Sequence, residues 1–449
     1  MALVEVGVIL AGGRGERAWP LTATRPKPLL PLPGDETVLT RLVRQARRVA
    51  RHVYVLAPPG RSGLFKQVLG DDAIVVEQDY SKGYGTGAAA LSLLDSVSED
   101  GRALILYGDL VIDDEVVRVL ERLAGGQYLL AFRTSRNGRR YGVVVEKNGR
   151  VERIVEKPGW SGEVLVNAGI YILDLDLLRR ALDEIEVSER GELELTDAIN
   201  VVASRASISV VKVGEGSVID VGTWWDYLTA ARRVLEWLVR SGCKPLNVDG
   251  VTGYEAVLCG HEPRVKPPVV VEGPVWLGRG VELGPFTRLR PYSIVLDGAE
   301  LGAFVEVKAS VIMEGVKAHH HAYIGDSVVG EYSNIAAGTI IANLRHDNAT
   351  VRSCAGAKIY DTGLRKLGAV IGARVKTGIN TSILPGARIG PCTWIAPGSV
   401  VKGDVPACSY YRRSGEIRDL EPRTKDIIEC CRQVEYGKGV GLCRAATGY

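Results

Sequence analysis

Over residues 4 to about 235, short apolar runs alternate with stretches of helical spacing. Residues 6–10, 53–56, 73–76, 103–106 and 128–132 read as strands, several of them apolar on both faces, and 38–49 and 87–94 read as helices. Strands apolar on both faces need cover on both sides, so the alternation predicts a mostly parallel α/β sheet. A helix over 224–239 closes this region. Residues 241–268, rich in Pro, Gly and Val without a clear period, are expected to form a linker.

From Val269 the period changes. Aliphatic residues recur every six positions at Leu277, Leu283, Leu289, Val295, Leu301, Val307 and Met313, often followed by a small residue. The phase slips at His319-His320-His321, continues through Ile324, Val329, Ile335 and Ile341, breaks over 342–370, and resumes at Ile371, Thr377, Ile383, Ile389, Ile395 and Val401. This hexapeptide step belongs to a parallel β-helix, in which each aliphatic residue points into a shared core and small residues turn the corners. The break predicts a loop leaving the coil, where a solenoid places function. The expected organisation is an α/β domain over 1–240, the linker 241–268, a β-helix over 269–405 and a tail over 406–449 with a short helix at 423–434.

Composition adds three constraints. The 449 residues, 46% hydrophobic and 24% charged, exclude a disordered or fibrous chain. A net charge of +3 gives no ground for a nucleic-acid partner, and no apolar stretch approaches a membrane span, so neither nucleic acid nor membrane is expected and a cytoplasmic enzyme is. Eight cysteines without C-x-x-C spacing fit neither a disulfide scaffold nor a zinc site; buried thiols are expected, with a bridge from the tail left open. The 53 glycines call for repeated turns, phosphate-binding loops, or both.

The first strand runs directly into Leu10-Ala11-Gly12-Gly13-Arg14-Gly15-Glu16-Arg17-Ala18-Trp19-Pro20-Leu21-Thr22, followed by Pro26-Lys27-Pro28. Glycines let backbone N–H groups close on phosphate oxygens, and Arg14, Arg17 and Lys27 supply fixed positive charge. Neither G-K-[ST] nor G-x-G-x-x-G is present, so this is neither a Walker A loop nor a dinucleotide fingerprint. A Gly-rich turn with solvated arginines is common, but the longer pattern is specific. It resembles the signature of the sugar-1-phosphate nucleotidylyltransferases, with Ala18 in place of the usual Leu or Met.

That resemblance extends over residues 1–235 and implies roles. Gly12 and Gly13 would hold phosphate, and Arg14 and Lys27 would be catalytic. Gln78, Gly85 and Thr86 would read a uracil or thymine edge. Asp109 of Tyr107-Gly108-Asp109 and Asp220 would hold Mg2+. Gly142, Glu156, Lys157 and Asn167 would contact the sugar and its phosphate.

In the second half, Leu289-Arg290-Pro291, Val305-Glu306-Val307-Lys308, His319 to Asp326, Ser333 to Thr339 and Asn343 are similar, over about 270–405, to the acetyltransferase half of the bifunctional N-acetylglucosamine-1-phosphate uridylyltransferases. There the fold is a left-handed β-helix. The resemblance implies His320 as general base, Arg290 and Lys308 as phosphate contacts, Tyr323, Asn334 and Asn343 as sugar contacts, and acetyl-CoA along Ala337, Ile379 and Ala396. It also implies a homotrimer. An imidazole suits the base, because the substrate's ammonium must lose a proton before its nitrogen attacks a thioester. Three adjacent histidines also fit metal capture or a plain polar corner. Asn343-Leu344-Arg345-His346-Asp347 and Ala349 depart from the bacterial N-Y-D-G and its following lysine, leaving Arg345, Arg352 or Lys358 as substitutes. Gly363 to Ala369 resembles the archaeal-type branch.

The expected substrates are UTP or dTTP, glucosamine- or galactosamine-1-phosphate, and acetyl-CoA. Two other readings stand beside this one: a monofunctional glucose-1-phosphate thymidylyl- or uridylyltransferase with a structural β-helix, and a silent regulatory subunit.

Overall fold

The structure, a computed structural model, describes residues 3–135, 141–160, 162–243, 245, 247–420, 425–434 and 442–443. Contacts divide the chain into two units: residues 3–14 with 37–220, and 15–36 with the chain from 221 onward.

The first unit is built on a nine-stranded sheet. Its order is Ile74–Glu77, Ala50–Ala57, Val4–Leu10, Arg102–Tyr107, Val164–Asp174, Gln127–Thr134, Ile208–Lys212, Arg150–Glu156, Gly142–Lys147. The first four strands are parallel and bury Val6, Ile9, Val55, Leu56 and Leu104, as their two-sided apolarity requires. Beyond them Val164–Asp174 runs antiparallel to both neighbours, and Gly142–Lys147 pairs antiparallel with Arg150–Glu156. The expected mostly parallel sheet is therefore mixed. Part of the reason is local: Asn148 and Gly149, at φ 53° and 75°, make a tight turn that joins only antiparallel strands. Helix Val38–Ala46 starts in a capping box between Thr37 and Thr40, and helix Thr86–Leu94 starts at Gly85.

The second unit is the left-handed parallel β-helix. One face stacks Val269–Val271, Arg288–Leu289, Glu306–Lys308, Tyr323–Gly325, Ile340–Ile341, Ser382–Ile383 and Val400–Val401. A second stacks Pro274–Leu277, Ser293–Val295, Val311–Ile312, Val328–Val329, Val370–Ile371, Arg388–Ile389 and Asp404–Val405. A third carries Arg264–Val265, Glu282–Leu283, Glu300–Ala303 and Lys317–His320. The stack begins at Val251–Thr252, inside the 241–268 stretch.

Two expectations about the coil need correction. Stacked partners such as Val271↔Leu289 lie 18 residues apart, but Val295↔Ile312 lie 17 apart, so Ile312 rather than Met313 fills the inner column and the phase slips before the histidine run. The shorter coil turns at Ala309, φ 46°. The corners are also not uniformly small: Phe286, Phe304 and His321 turn at φ 62°, 58° and 46°. Their rings stack with centroids 4.8 and 5.0 Å apart, a contact that offsets the cost of the left-handed backbone.

The break at 342–370 is a hairpin, Arg352–Ala355 with Lys358–Asp361, that folds back on the coil. The Trp224 indole N–H donates to Ser353 Oγ at 3.1 Å, and that hydroxyl donates to the Gly386 carbonyl at 2.9 Å. Residues 15–36 are held to the same unit. Arg25 donates to both oxygens of Glu314 at 3.0 and 3.3 Å, Thr24 donates to Glu331 at 3.0 Å, and the Tyr227 hydroxyl donates to the Pro31 carbonyl at 2.6 Å. Trp19 lies against Arg388, which is fully buried and ion-paired to Asp404 at 2.8 Å.

All eight cysteines are paired, which corrects the expectation of buried thiols: Cys243–Cys259, Cys354–Cys443, Cys392–Cys430 and Cys408–Cys431. The partners meet where the end of helix Trp224–Arg240 and the tail reach cysteines of the coils and hairpin, so sequence spacing carries no sign of them. Three bridges fasten the tail, whose helix is Lys425–Gln433; residues 423–424 of the expected helix lie outside the described residues.

A native bridge contributes about 2–4 kcal/mol. Reduction with dithiothreitol is therefore expected to lower the thermal midpoint, and Cys354→Ser to lower it by less than full reduction does. Scanning calorimetry with and without reductant checks this, and an unchanged midpoint refutes the bridges.

Candidate active sites

In the first unit the candidate residues gather at the carboxyl ends of the parallel strands, where open α/β sheets bind ligands. Leu10 and Tyr107 are register partners, so the glycine loop after one strand lies beside Gly108-Asp109 after the next. Gly108 N–H donates to the Leu10 carbonyl at 2.9 Å, and a Cβ on Gly108 would meet the Ala11 backbone. Asp220 ends strand Val218–Asp220 directly opposite Leu110, the residue that follows Asp109, so the two predicted metal residues stand beside the same end of this strand pair. Two carboxylates at a strand end form a hard oxygen donor set, which suits Mg2+.

Gln78 is buried, and its carboxamide packs so closely on Gly12 that any side chain there would collide with it. Gly13, by contrast, has open space where a side chain would stand. Gly85 is equally constrained: its φ is 107°, and a Cβ would strike the Leu193 carbonyl. Thr86 Oγ1 accepts from Leu195 N–H at 2.9 Å. Gly142 pairs with Glu156, and a Cβ would come within 2.8 Å of the Glu156 carboxylate. Lys157 Nζ stands 3.6 Å from Glu156. Asn167 is buried; its amide donates to the Tyr171 hydroxyl at 2.5 Å, which donates to the Tyr107 hydroxyl at 3.2 Å. Burial pushes both phenols up, so they stay protonated hydrogen-bonding groups. Arg14 lies against Tyr80 and Tyr84, while Lys27 opens the turn Lys27–Leu29 of the segment described with the second unit.

In the second unit, four predicted residues meet along one face. Arg290 donates to Glu306 at 3.0 Å, Lys308 pairs with Asp326 at 2.8 Å, and the Asn343 amide donates to Asp326 at 2.5 Å and to the Tyr323 hydroxyl at 3.2 Å. Burial, then the Asp326 charge, raises the Tyr323 phenol. His320 and Asn334 lie elsewhere, on the third face, both exposed. The three histidine rings diverge: His319 bonds Glu300 at 2.8 Å, His321 stacks on Phe304, and His320 stands tilted to His319. Ala337 and Ile379 share one corner, where Asn380 N–H donates to the Ala337 carbonyl and Gly398 N–H to the Ile379 carbonyl, both at 2.8 Å. Ala396, two residues before Gly398, is buried, whereas Ile379 is exposed.

The nucleotidyl transferase family pattern matches residues 6–236, about half of the chain. The chain is 39% identical over 410 residues to a bifunctional sugar-1-phosphate nucleotidylyltransferase/acetyltransferase of Sulfurisphaera tokodaii, covering 90% of this chain and 99% of that one. The chain belongs to this bifunctional family. It is also 32% identical over 431 residues to the bifunctional protein GlmU of Methanocaldococcus jannaschii (91% and 98% covered), and 29% identical over 453 residues to GlmU of a Thermotoga species (90% and 94% covered).

For a member of this family the carboxylates around the cations were not legible beforehand. Arg190 and Glu194 crowd Glu156, and Glu192 lies against Glu194: Arg190 bonds Glu194 at 2.6 Å and lies 4.0 Å from Glu156. The acid-rich Glu189 to Glu194 run was the available signal. Glu306 and Asp326 are identifiable only once the coils are stacked. Among the substitutes for the bacterial lysine, Arg345 is tied to Asp347 at 2.6 Å and holds that carboxyl well below its usual range, while Arg352 and Lys358 stand exposed on the hairpin.

Burial first, then Glu194, raises the Glu156 carboxyl, against the opposing pull of Lys157. A raised carboxyl contributes stability below its ordinary pKa and loses it as pH rises through the shifted one. Glu156→Gln is therefore expected to raise the thermal midpoint at pH 7.5 by about 1–3 °C, with no gain at pH 4, as melts at the two pH values would show.

Proposed function

We propose that the β-helix unit acetylates glucosamine-1-phosphate, or its galactosamine epimer, with acetyl-CoA, and that the α/β unit transfers UMP or dTMP from the nucleoside triphosphate to the resulting sugar phosphate, releasing pyrophosphate. The observation that carries this is likeness along almost the whole chain to bifunctional relatives, with Asp220 paired opposite Leu110, the residue after Asp109, and a cation-and-amide cluster on one β-helix face.

A sugar phosphate is largely ionised at neutral pH and attacks the α-phosphorus without a general base; what opposes it is charge repulsion. Arg14, Lys27 and Lys157 offset that repulsion and the charge developing on pyrophosphate. Mg2+ held by Asp109 and Asp220 would supply further positive charge against the triphosphate. Gly12 and Gly13 leave the backbone N–H groups open to phosphate, and Gln78 with Thr86 faces the base. Glu156 and Asn167 accept from and donate to sugar hydroxyls.

In acetyl transfer, His320 takes the proton from the substrate ammonium, and the amine then attacks the thioester carbon as thiolate leaves. Arg290 and Lys308 hold the 1-phosphate, exchanging Glu306 and Asp326 for it, while Tyr323, Asn334 and Asn343 contact the sugar. Acetyl-CoA lies along Ala337, Ile379 and Ala396. Since His320 and the sugar cluster occupy different faces of one chain, a homotrimer in which neighbouring copies complete each other's site fits the arrangement. We place the enzyme in the cytoplasm; no helix among the described residues is long and apolar enough to cross a membrane. Intracellular chains with several disulfides belong chiefly to hyperthermophiles, so this placement goes with a heat-stable enzyme.

Single substitutions separate the two reactions. Asp109→Asn is expected to lower nucleotidyl transfer at least about 10³-fold while leaving acetyl transfer intact. His320→Ala is expected to lower thiol release from acetyl-CoA about 10²–10⁴-fold with nucleotidyl transfer retained. Full nucleotidyl transfer by Asp109→Asn, or no thiol release from wild type with either amino sugar, overturns the corresponding half.

A further inference from the structure

The loop between Gln78 and Thr86 carries two tyrosines to which the functional reading gives no work. Tyr84 is 51% exposed, yet its ring is not loose. The Arg14 guanidinium carbon lies 5.5 Å from the Tyr80 ring centroid and 5.2 Å from that of Tyr84, and the two centroids are 5.3 Å apart with planes 37° from each other. The three groups close a triangle. Arg14 Nη2 also donates to the Tyr84 hydroxyl at 3.3 Å, and the Tyr80 hydroxyl donates to the Gly12 carbonyl at 3.3 Å.

The backbone that presents these rings is fixed at both ends. Asp79 caps the turn Tyr80–Lys82 by accepting from Ser81 N–H at 2.9 Å. Gly83 and Gly85, at φ 103° and 107°, bend the chain on either side of Tyr84, and the Tyr84 carbonyl accepts from Leu193 N–H at 2.8 Å. A side chain at Gly85 is excluded by Leu193. Meanwhile Gln78, four residues before Lys82, packs on Gly12. The phosphate loop and the base-facing loop thus touch at four points: Gln78 on Gly12, Tyr80 on Gly12, and both Tyr80 and Tyr84 on Arg14.

We propose that Tyr80 and Tyr84 are positioning residues for Arg14, holding its guanidinium at the register that Gln78 sets for the base, so that base and phosphates of one nucleoside triphosphate are met together. A guanidinium attracted to ring faces keeps its strongest donors in its own plane, the geometry in which it meets phosphate oxygens. The tyrosines touch neither reacting atom; they restrict where the arginine stands before the triphosphate arrives, which lowers the ordering cost of binding.

The proposal rests on Arg14 as a triphosphate contact, and the experiment separates the two. Nucleotidyl transfer by the full chain is measured over a range of UTP, and of dTTP, at saturating sugar phosphate, for wild type, Tyr84→Ala, Tyr84→Phe, Arg14→Ala and the Arg14→Ala/Tyr84→Ala pair. Tyr84→Ala is expected to raise KM for the triphosphate about five- to tenfold with kcat within about twofold, and Tyr84→Phe, which keeps the ring, to stay within about twofold of wild type. Acetyl transfer by the same samples reports folding and is expected to be unchanged. On the Arg14→Ala background, loss of Tyr84 is expected to cost nothing further, because the two act as a unit. If Arg14→Ala is impaired but Tyr84→Ala behaves as wild type, or if the two losses multiply in the double variant, the positioning role is wrong while the reading of Arg14 survives. If Arg14→Ala itself behaves as wild type, both fall.

Discussion

The width of the β-helix interior governs the second half of the molecule. Each face of a coil gives one aliphatic residue to a shared inner column, so Leu289, Val307, Ile324, Ile341, Ile383 and Val401 stand above one another, with a second buried residue such as Val281, Ala299 or Val305 two positions before a column residue, and the alternate side chains point outward. Outward residues then align in columns without any contact having been selected between them in sequence. Arg288 stands beside Glu306 and Glu306 beside Tyr323 for this reason alone. Where a coil loses one residue, as between Val295 and Ile312, the inner column is preserved and the corner absorbs the change at Ala309. The core tolerates no slip, because a vacancy in an aliphatic column costs several kcal/mol while a left-handed corner costs about 1–3 kcal/mol.

Both candidate sites keep their cations in the company of carboxylates. Lys308 is held by Asp326, Arg290 by Glu306, Lys157 faces Glu156, and Arg190 is bound to Glu194. Arg290 and Lys308 are half-buried, where a cation without a partner is costly, and Glu306 and Asp326 offset that cost. On the proposed function an incoming phosphate would exchange one oxygen acceptor for another, and the net attraction would be smaller than the number of cations suggests. The raised Glu156 carboxyl shows the other side of this arrangement, since a buried acid among acids resists ionisation.

How much of this was readable in the chain varied with the range of the interactions. The hexads and the two-sided strands depend on local pattern, and they located the β-helix and the parallel edge of the sheet. The antiparallel half was missed because Gly142–Lys147, Arg150–Glu156, Val164–Asp174 and Ile208–Lys212 are not among the runs read as strands, and strand direction is set by pairings such as that of Val164–Asp174 with Arg102–Tyr107, which no local pattern carries. Met313 was chosen over Ile312 because a strict count of six cannot register a shortened coil. The partners Glu306 and Asp326 were invisible because their proximity is made by stacking distant turns, and the disulfides because the tail and the end of helix Trp224–Arg240 meet the coils and hairpin only in the folded chain. At Gly12, Gly85 and Gly142 a close neighbour leaves no space for a side chain, a packing reason for glycine that the sequence alone does not display.

The segment 15–36 gives the chain an unusual topology. The polypeptide leaves the first unit at residue 15, returns at 37, and leaves again at 221, and its excursion is fastened by Arg25 to Glu314, by Tyr227 to Pro31 and by Trp19 to the buried Arg388. A gene cut at the 241–268 stretch would therefore not release two self-sufficient proteins. The amino-terminal fragment would carry Lys27 on a strip of chain whose charge partners had been left behind, and the carboxy-terminal fragment would expose Glu314, Glu331 and Arg388, which that strip contacts. Two transferases joined in this way are inherited as one piece, and recombination that shuffles either half must carry the interlaced segment with it.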